Sequence, residues 1–199
     1  PSRFDVVAIG VSTGGPNALA EVIPHLPADL GVPVLVVQHM PPFFTASLAE
    51  HLAKASRLAV SEAIEGEPVL PNHVYIAPGG KHMTVRRMGG AEGPAIVGLN
   101  ENPPENSCRP SVDVLFRSVA AQYEGNILGV VMTGMGSDGC EGVRAMKRRG
   151  CHVLTQSEDT CVVYGMPLAV DEAGLSDEQV PLPRLASRIA YLVSSGRTS

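Results

Sequence analysis

Three strand-length runs of Val, Ile and Leu, each followed by a glycine- or proline-rich loop and then an amphipathic segment, leave this chain few possible architectures. Residues 4–9 (FDVVAI) lead into VSTGGP and a helix through about Ile23. Residues 32–37 (VPVLVV) lead into QHMPP and a helix over 43–55, with Phe44, Leu48 and Leu52 at helical spacing. Residues 126–132 (NILGVVM) lead into TGMGSDG and a helix over 140–149, stopped by Gly150; a further strand covers 151–155. Runs this continuously apolar belong to strands buried on both faces, with the helices as right-handed crossovers. The expected fold is α/β: a single doubly wound, mostly parallel sheet with helices on both faces.

The middle of the chain is less regular. Short apolar runs at 58–63, 74–77, 83–87 and 95–99 are separated by Pro- and Gly-rich turns. Residues 83–99 predict an added antiparallel hairpin with its tip at 88–94, and helices are expected at 111–123 and 183–193. With no internal repeat and no linker, the 199 residues are expected to form one domain, which a single core can serve.

Charge and cysteine content narrow the function classes. A net charge of −5 is the wrong sign for a nucleic-acid footprint. Arg86-Arg87 reads as a solvated strand end, and Lys147-Arg148-Arg149 as the last turn of a helix, where cations suit the dipole. No run approaches the roughly 18 apolar residues of a membrane span, and no signal peptide opens the chain. Cys108, Cys140, Cys151 and Cys161 contain neither a C-x-x-C pair nor zinc-ligand spacing, as expected of free thiols in a reducing cytoplasm. Cys151 and His152 would fall on opposite faces of a strand, which disfavours a shared metal.

Ligands of open parallel sheets bind beyond the carboxyl ends of the strands. Three strand ends here each deliver one part of an acyl-transfer apparatus: Ser12 after the first, His39 after the second, and Asp138 one glycine-rich loop after the 126–132 run. Ser12 lies in Gly10-Val11-Ser12-Thr13-Gly14, a G-x-S-x-G turn able to expose Oγ, with backbone N–H groups nearby for an oxyanion. The alternative is that Ser12 or Thr13 only caps the next helix. A dinucleotide loop fits less well, since the spacing is not G-x-G-x-x-G and His39 stands where a ribose-binding acid is expected. His39 suits a general base, with His82 as its competitor. Asp138 is read either as the group that orients His39 or as a capping-box residue with Glu141. The serine-protease template places His39 Nε2 on Ser12 and Nδ1 on Asp138, and an Asp138→Asn change is expected to cut turnover with stability nearly unchanged.

Six stretches together go further: residues 8–16 (AIGVSTGGP), 38–41 (QHMP), 77–82 (APGGKH), 109–113 (RPSVD), 133–139 (TGMGSDG) and 162–167 (VVYGMP). In this order they resemble the catalytic domain of the CheB family, the chemotaxis protein-glutamate methylesterases. The resemblance implies that Ser12, His39 and Asp138 are the catalytic residues, that Thr13 and Met135 line the active site, and that the Met135 amide is an oxyanion donor. Arg109 is read either as a contact for an acidic receptor helix or as a loop residue before a helix start, and Tyr164 and Met166 either as lining the substrate groove or as core or loop packing. The implied reaction is hydrolysis of glutamyl methyl esters on the cytoplasmic helices of chemoreceptors, with glutamine deamidation beside it. No metal or cofactor is implied, and no nucleic acid or membrane insertion. No receiver domain, usual in the family, is expected in this sequence before the first strand, and one is expected to act in cis or in trans. Cys108 and Cys161 look unusual for the family. The other reading kept open is a non-catalytic receptor-binding module of the same fold.

Overall fold

The computed structural model describes residues 4–124 and 126–195. Seven strands form one parallel sheet in the order β3-β4-β2-β1-β7-β8-β9. They are β1 (Val6–Val11), β2 (Val34–Gln38), β3 (Ala59–Glu62), β4 (His73–Ile76), β7 (Ile127–Val131), β8 (His152–Gln156) and β9 (Glu178–Val180). The expected hairpin is present as the antiparallel pair β5 (His82–Arg87) and β6 (Ala95–Asn100).

Alternation along each strand divides the interior in two. Val7, Ile9 and Val11 face one apolar cluster, closed by α1 (Gly15–Val22), α2 (Phe44–Ala55) and α6 (Leu182–Ser194). Val6 and Ala8 face the other, closed by α3 (Val112–Gln122), α4 (Cys140–Arg148), α5 (Met166–Glu172) and the hairpin. Such two-sided burial is why the central strands contain almost no polar residues. No helix among the described residues is long and apolar enough to cross a membrane.

Several local expectations need correction. The second strand starts at Val34 because Pro33 has no N–H for the ladder. Phe44 does not join Leu48 and Leu52 in the core; it is 60% exposed, and Phe43, outside the helix at φ 72°, is 90% exposed. Arg87 is not a solvated strand end: it donates to the Gly93 and Gln122 carbonyls and lies over the Tyr123 ring, clamping the hairpin to α3.

Strand order reverses at β1, with β2 on one side and β7 on the other. The crevice beyond the carboxyl ends of β1, β2 and β7 is therefore the topological switch point of the sheet.

Candidate active site

Ser12 is the first residue beyond β1, and its main chain is held from three directions. Its N–H donates to the Thr133 carbonyl (2.9 Å), while its carbonyl accepts from the Gly15 N–H (2.8 Å) and from Gln38 Nε2 (3.0 Å). The N-cap of α1 is Gly14, in the left-handed region at φ 81°, and no side chain caps the helix. Ser12 and Thr13 are thus not used as caps. The β7–α4 loop packs directly on the serine: a Cβ at Gly134 would fall 2.8 Å from Ser12 Cβ and 2.5 Å from Met166 Sδ. Among the described residues, the N–H groups of Thr13, Gly14 and Met135 have no acceptor, so they are available donors beside Ser12.

His39 leaves the adjacent strand in step with Ser12. The register pairs Val11 with Gln38, and the His39 N–H donates to the Val11 carbonyl (3.2 Å). Gln38, itself buried, sends Nε2 to both the Ser12 and the His39 carbonyls, tying the two loops together.

The imidazole is turned opposite to the protease template. Its Nε2 is 2.6 Å from Asp138 Oδ2, and its Nδ1 is 3.6 Å from Cys108 Sγ. An ionised carboxylate only accepts, so Nε2 carries the hydrogen and Nδ1 of the neutral ring holds the lone pair. Asp138 is fixed under α3, and the distal ring nitrogen is the one that reaches it. Ser12 Oγ makes no hydrogen bond among the described residues, and the recorded partners of the His39 ring are Asp138 and Cys108.

Asp138 is buried and accepts five hydrogen bonds. Oδ2 takes His39 Nε2 and the Val112 N–H (2.8 Å); Oδ1 takes the Ser111 hydroxyl (2.9 Å), Asn106 Nδ2 (2.9 Å) and the Asp113 N–H (3.0 Å). Burial acts to raise its pKa, but the bonds from His39, Val112 and Asp113 outweigh it and hold the carboxyl below its ordinary value. The capping expectation is therefore misplaced by one helix: Asp138 caps α3, whereas the N-cap residue of α4 is Gly139, which has no side chain to cap with.

Asp113 of α3 returns the arrangement. Its Oδ1 accepts the N–H groups of Gly139 (3.0 Å) and Gly142 (2.7 Å) at the start of α4, and Asn106 Nδ2 bridges its Oδ2 (2.8 Å) to Asp138. Burial pushes the Asp113 carboxyl up, against the bonds from Gly142 and Asn106. Each helix is thus capped by an aspartate that belongs to, or directly precedes, the other.

The remaining candidates separate. His82 is buried with both ring nitrogens engaged, Nε2 on the Pro103 carbonyl (3.0 Å) and Nδ1 on the Ser111 N–H (3.2 Å), so it supports the Asp138 cage and is not a rival base. Met166 is fully buried beneath Gly134 and cannot line a groove. The Tyr164 hydroxyl donates to Asp171, turned toward α5. Arg109 donates to the Glu101 (3.0 Å) and Asn102 (3.3 Å) carbonyls, which occupies part of its guanidinium in holding its own loop. Thr13 is exposed, and Met135 is 69% exposed at the mouth of the crevice. Sequence reasoning gave no role to Gln38, Asn106, Ser111 or Asp113; Gln38, Ser111 and Asp113 lie within the QHMP and RPSVD stretches and the last two open a helix, whereas Asn106 carried no signal.

The sequence profile described as CheB methylesterase matches residues 7–189. The protein-glutamate methylesterase/protein-glutamine glutaminase of Desulfotalea psychrophila is 50% identical over 192 residues, covering 96% of this chain and 52% of the relative. That of Maricaulis maris is 49% identical over 195 residues, covering 98% of this chain and 48% of the relative. The chain thus spans about half the length of these relatives. The crystal structure of the Thermotoga maritima CheB methylesterase catalytic domain superposes with a TM-score of 0.92 at 40% identity, covering 96% of this chain and 99% of that one.

Proposed function

The chain belongs to the CheB methylesterase family, and on that premise we propose that it hydrolyses glutamyl methyl esters on the cytoplasmic helices of bacterial chemoreceptors. The observation that carries the chemistry is His39, held by the caged carboxylate of Asp138 on one ring nitrogen and leaving the strand end next to Ser12.

His39 Nδ1 takes the Ser12 proton as Oγ attacks the ester carbonyl. The tetrahedral oxyanion is received by backbone N–H groups drawn from Thr13, Gly14 and Met135. The imidazolium, stabilised by Asp138, returns its proton to the departing methoxide and methanol leaves. Water then attacks the acyl-enzyme with His39 again as base, releasing the glutamate side chain. A glutamine substrate follows the same course with ammonia as leaving group. All proton transfers use this chain's residues and water.

We place the protein in the cytoplasm, where its substrate helices lie, with residues 1–199 acting as one catalytic unit and a receiver domain as its controller in cis or in trans. The test is methanol release from methylated receptor by wild type and Ser12→Ala. Turnover should vanish in the variant, whose fold loses only a hydroxyl with no partner. Equal rates would remove the serine mechanism; binding of receptor without turnover by either protein would favour the non-catalytic module.

A further inference from the structure

Cys108 places a thiol against the lone-pair nitrogen of His39, a contact the esterase mechanism does not use. Cys108 Sγ lies 3.6 Å from His39 Nδ1, and Asp138 completes a group whose ligand atoms all fall within 4.8 Å of one another. Tetrahedral zinc, with Zn–N near 2.0–2.1 Å and Zn–S near 2.3 Å, requires nitrogen and sulfur ligands about 3.6 Å apart. In the metal-free protein this is a thiol–imidazole hydrogen-bond distance, with the Asn106 carbonyl as the thiol's second acceptor at 3.3 Å, and it is also the separation that two ligands of one metal ion need.

The other side of the ring is also arranged for a metal. A ligating histidine normally gives its second N–H to a carboxylate, which fixes the tautomer and makes the ligand more basic. His39 does so through the 2.6 Å bond to Asp138. Asp138, already accepting five hydrogen bonds, is the outer-shell partner and not itself a ligand. Cys108 and His39 are both partly exposed, so an ion can reach them from solvent.

We propose that His39 Nδ1 and Cys108 Sγ form a binding site for a borderline-soft divalent cation such as Zn2+, whose occupancy blocks the catalytic base. Binding replaces the thiol proton, which passes to buffer, with a zinc–sulfur bond; no electrons are transferred. Two protein ligands leave positions for water, so the ion should exchange, and oxygen-seeking Mg2+ should not compete. The consequence for catalysis rests on the function proposed above, but the site itself does not.

Reduced, metal-free protein is titrated with Zn2+ by calorimetry and with Co2+ by absorption. Wild type should bind one equivalent of each, with a thiolate-to-cobalt charge-transfer band. Cys108→Ala should lose the band and weaken zinc binding by more than the roughly 10–100-fold that loss of an outer-shell partner costs. Cys161→Ala should keep both. Cys108→His, with an imidazole in place of the thiol, should restore zinc affinity without the band. Methanol release, referred to each protein's own metal-free rate, should fall with Zn2+ in wild type and not in Cys108→Ala, with Mg2+ inert in both. Equal zinc affinity in wild type and Cys108→Ala, or a wild type without the band, would overturn the site. A wild type that binds zinc this way but releases no methanol would overturn the proposed function and leave the site standing.

Discussion

At Asp138 five donors converge on two oxygens, and an amide there would turn its NH2 against at least one of them. The backbone N–H groups of Val112 and Asp113 cannot move aside without unwinding the start of α3. Leaving a buried donor unsatisfied costs about 1–3 kcal/mol. Asp138→Asn should therefore lose stability of that order in urea unfolding as well as turnover. The expectation drawn from sequence, of lost turnover alone, is revised by this cage. The same carboxylate makes a pH prediction. Its folded pKa lies below the unfolded value of about 3.9, so its contribution is complete above that value and is lost as pH falls through the folded pKa. Unfolding midpoints measured below pH ~4 should thus fall more steeply for wild type than for Asp138→Asn.

At the scale of elements, α3 and α4 meet without a side chain between them at Gly142. A Cβ there would lie 2.5 Å from Phe116 Cβ and 3.2 Å from Asp113 Cα. Gly→Ala inside an ordinary helix gains roughly 0.8–1 kcal/mol from propensity. Overpacking of this kind costs typically 1–3 kcal/mol, so Gly142→Ala should lower the urea midpoint, and activity should fall with it because the shift displaces Asp113 and the Asp138 loop. The contrast with sequence reading has the same origin. Long apolar runs such as residues 4–9 and 126–132 announce their strands because both faces are buried. Three-residue β9 and seven-residue α5, which opens on Met166-Pro167, are too short to show a period and exist through tertiary contact. Ser12, His39 and Asp138 were legible as candidates because each follows a strand. Their cage was not, since Asn106 and Ser111 reach Asp138 across 32 and 27 residues. The direction of the imidazole, and with it the meeting of His39 and Cys108 across 69 residues, is set by packing alone.

For the whole molecule, the carboxyl edge of the sheet is one working face. Met135 (69% exposed) and Val162 (70% exposed) rise from two loops that are bonded to each other beside the crevice, the Gly134 N–H donating to the Val163 carbonyl (3.0 Å); a Cβ at Gly14 would lie 2.6 Å from Val162 Cγ2, so that side chain stands directly over the turn after Ser12. Large apolar side chains held in water next to the proposed nucleophile Ser12 are suited to gripping a macromolecular substrate. Replacing both with Ser should raise KM for methylated receptor by about 10-fold, the size of a moderate interface contribution. The melting temperature and the hydrolysis of a small glutamyl methyl ester should stay near wild type, since neither side chain supports the core. The paired aspartates that cap α3 and α4 also bear on descent. A lineage that had given up turnover could discard the Ser12 hydroxyl, which has no partner, while any change at Asp138 would still unsettle two helices and push the fold toward its stability threshold. Selection would hold the aspartate long after the reaction was gone. An inactive descendant should therefore be recognised by a missing serine, and retention of the aspartate should count as testimony to the fold and not to the chemistry.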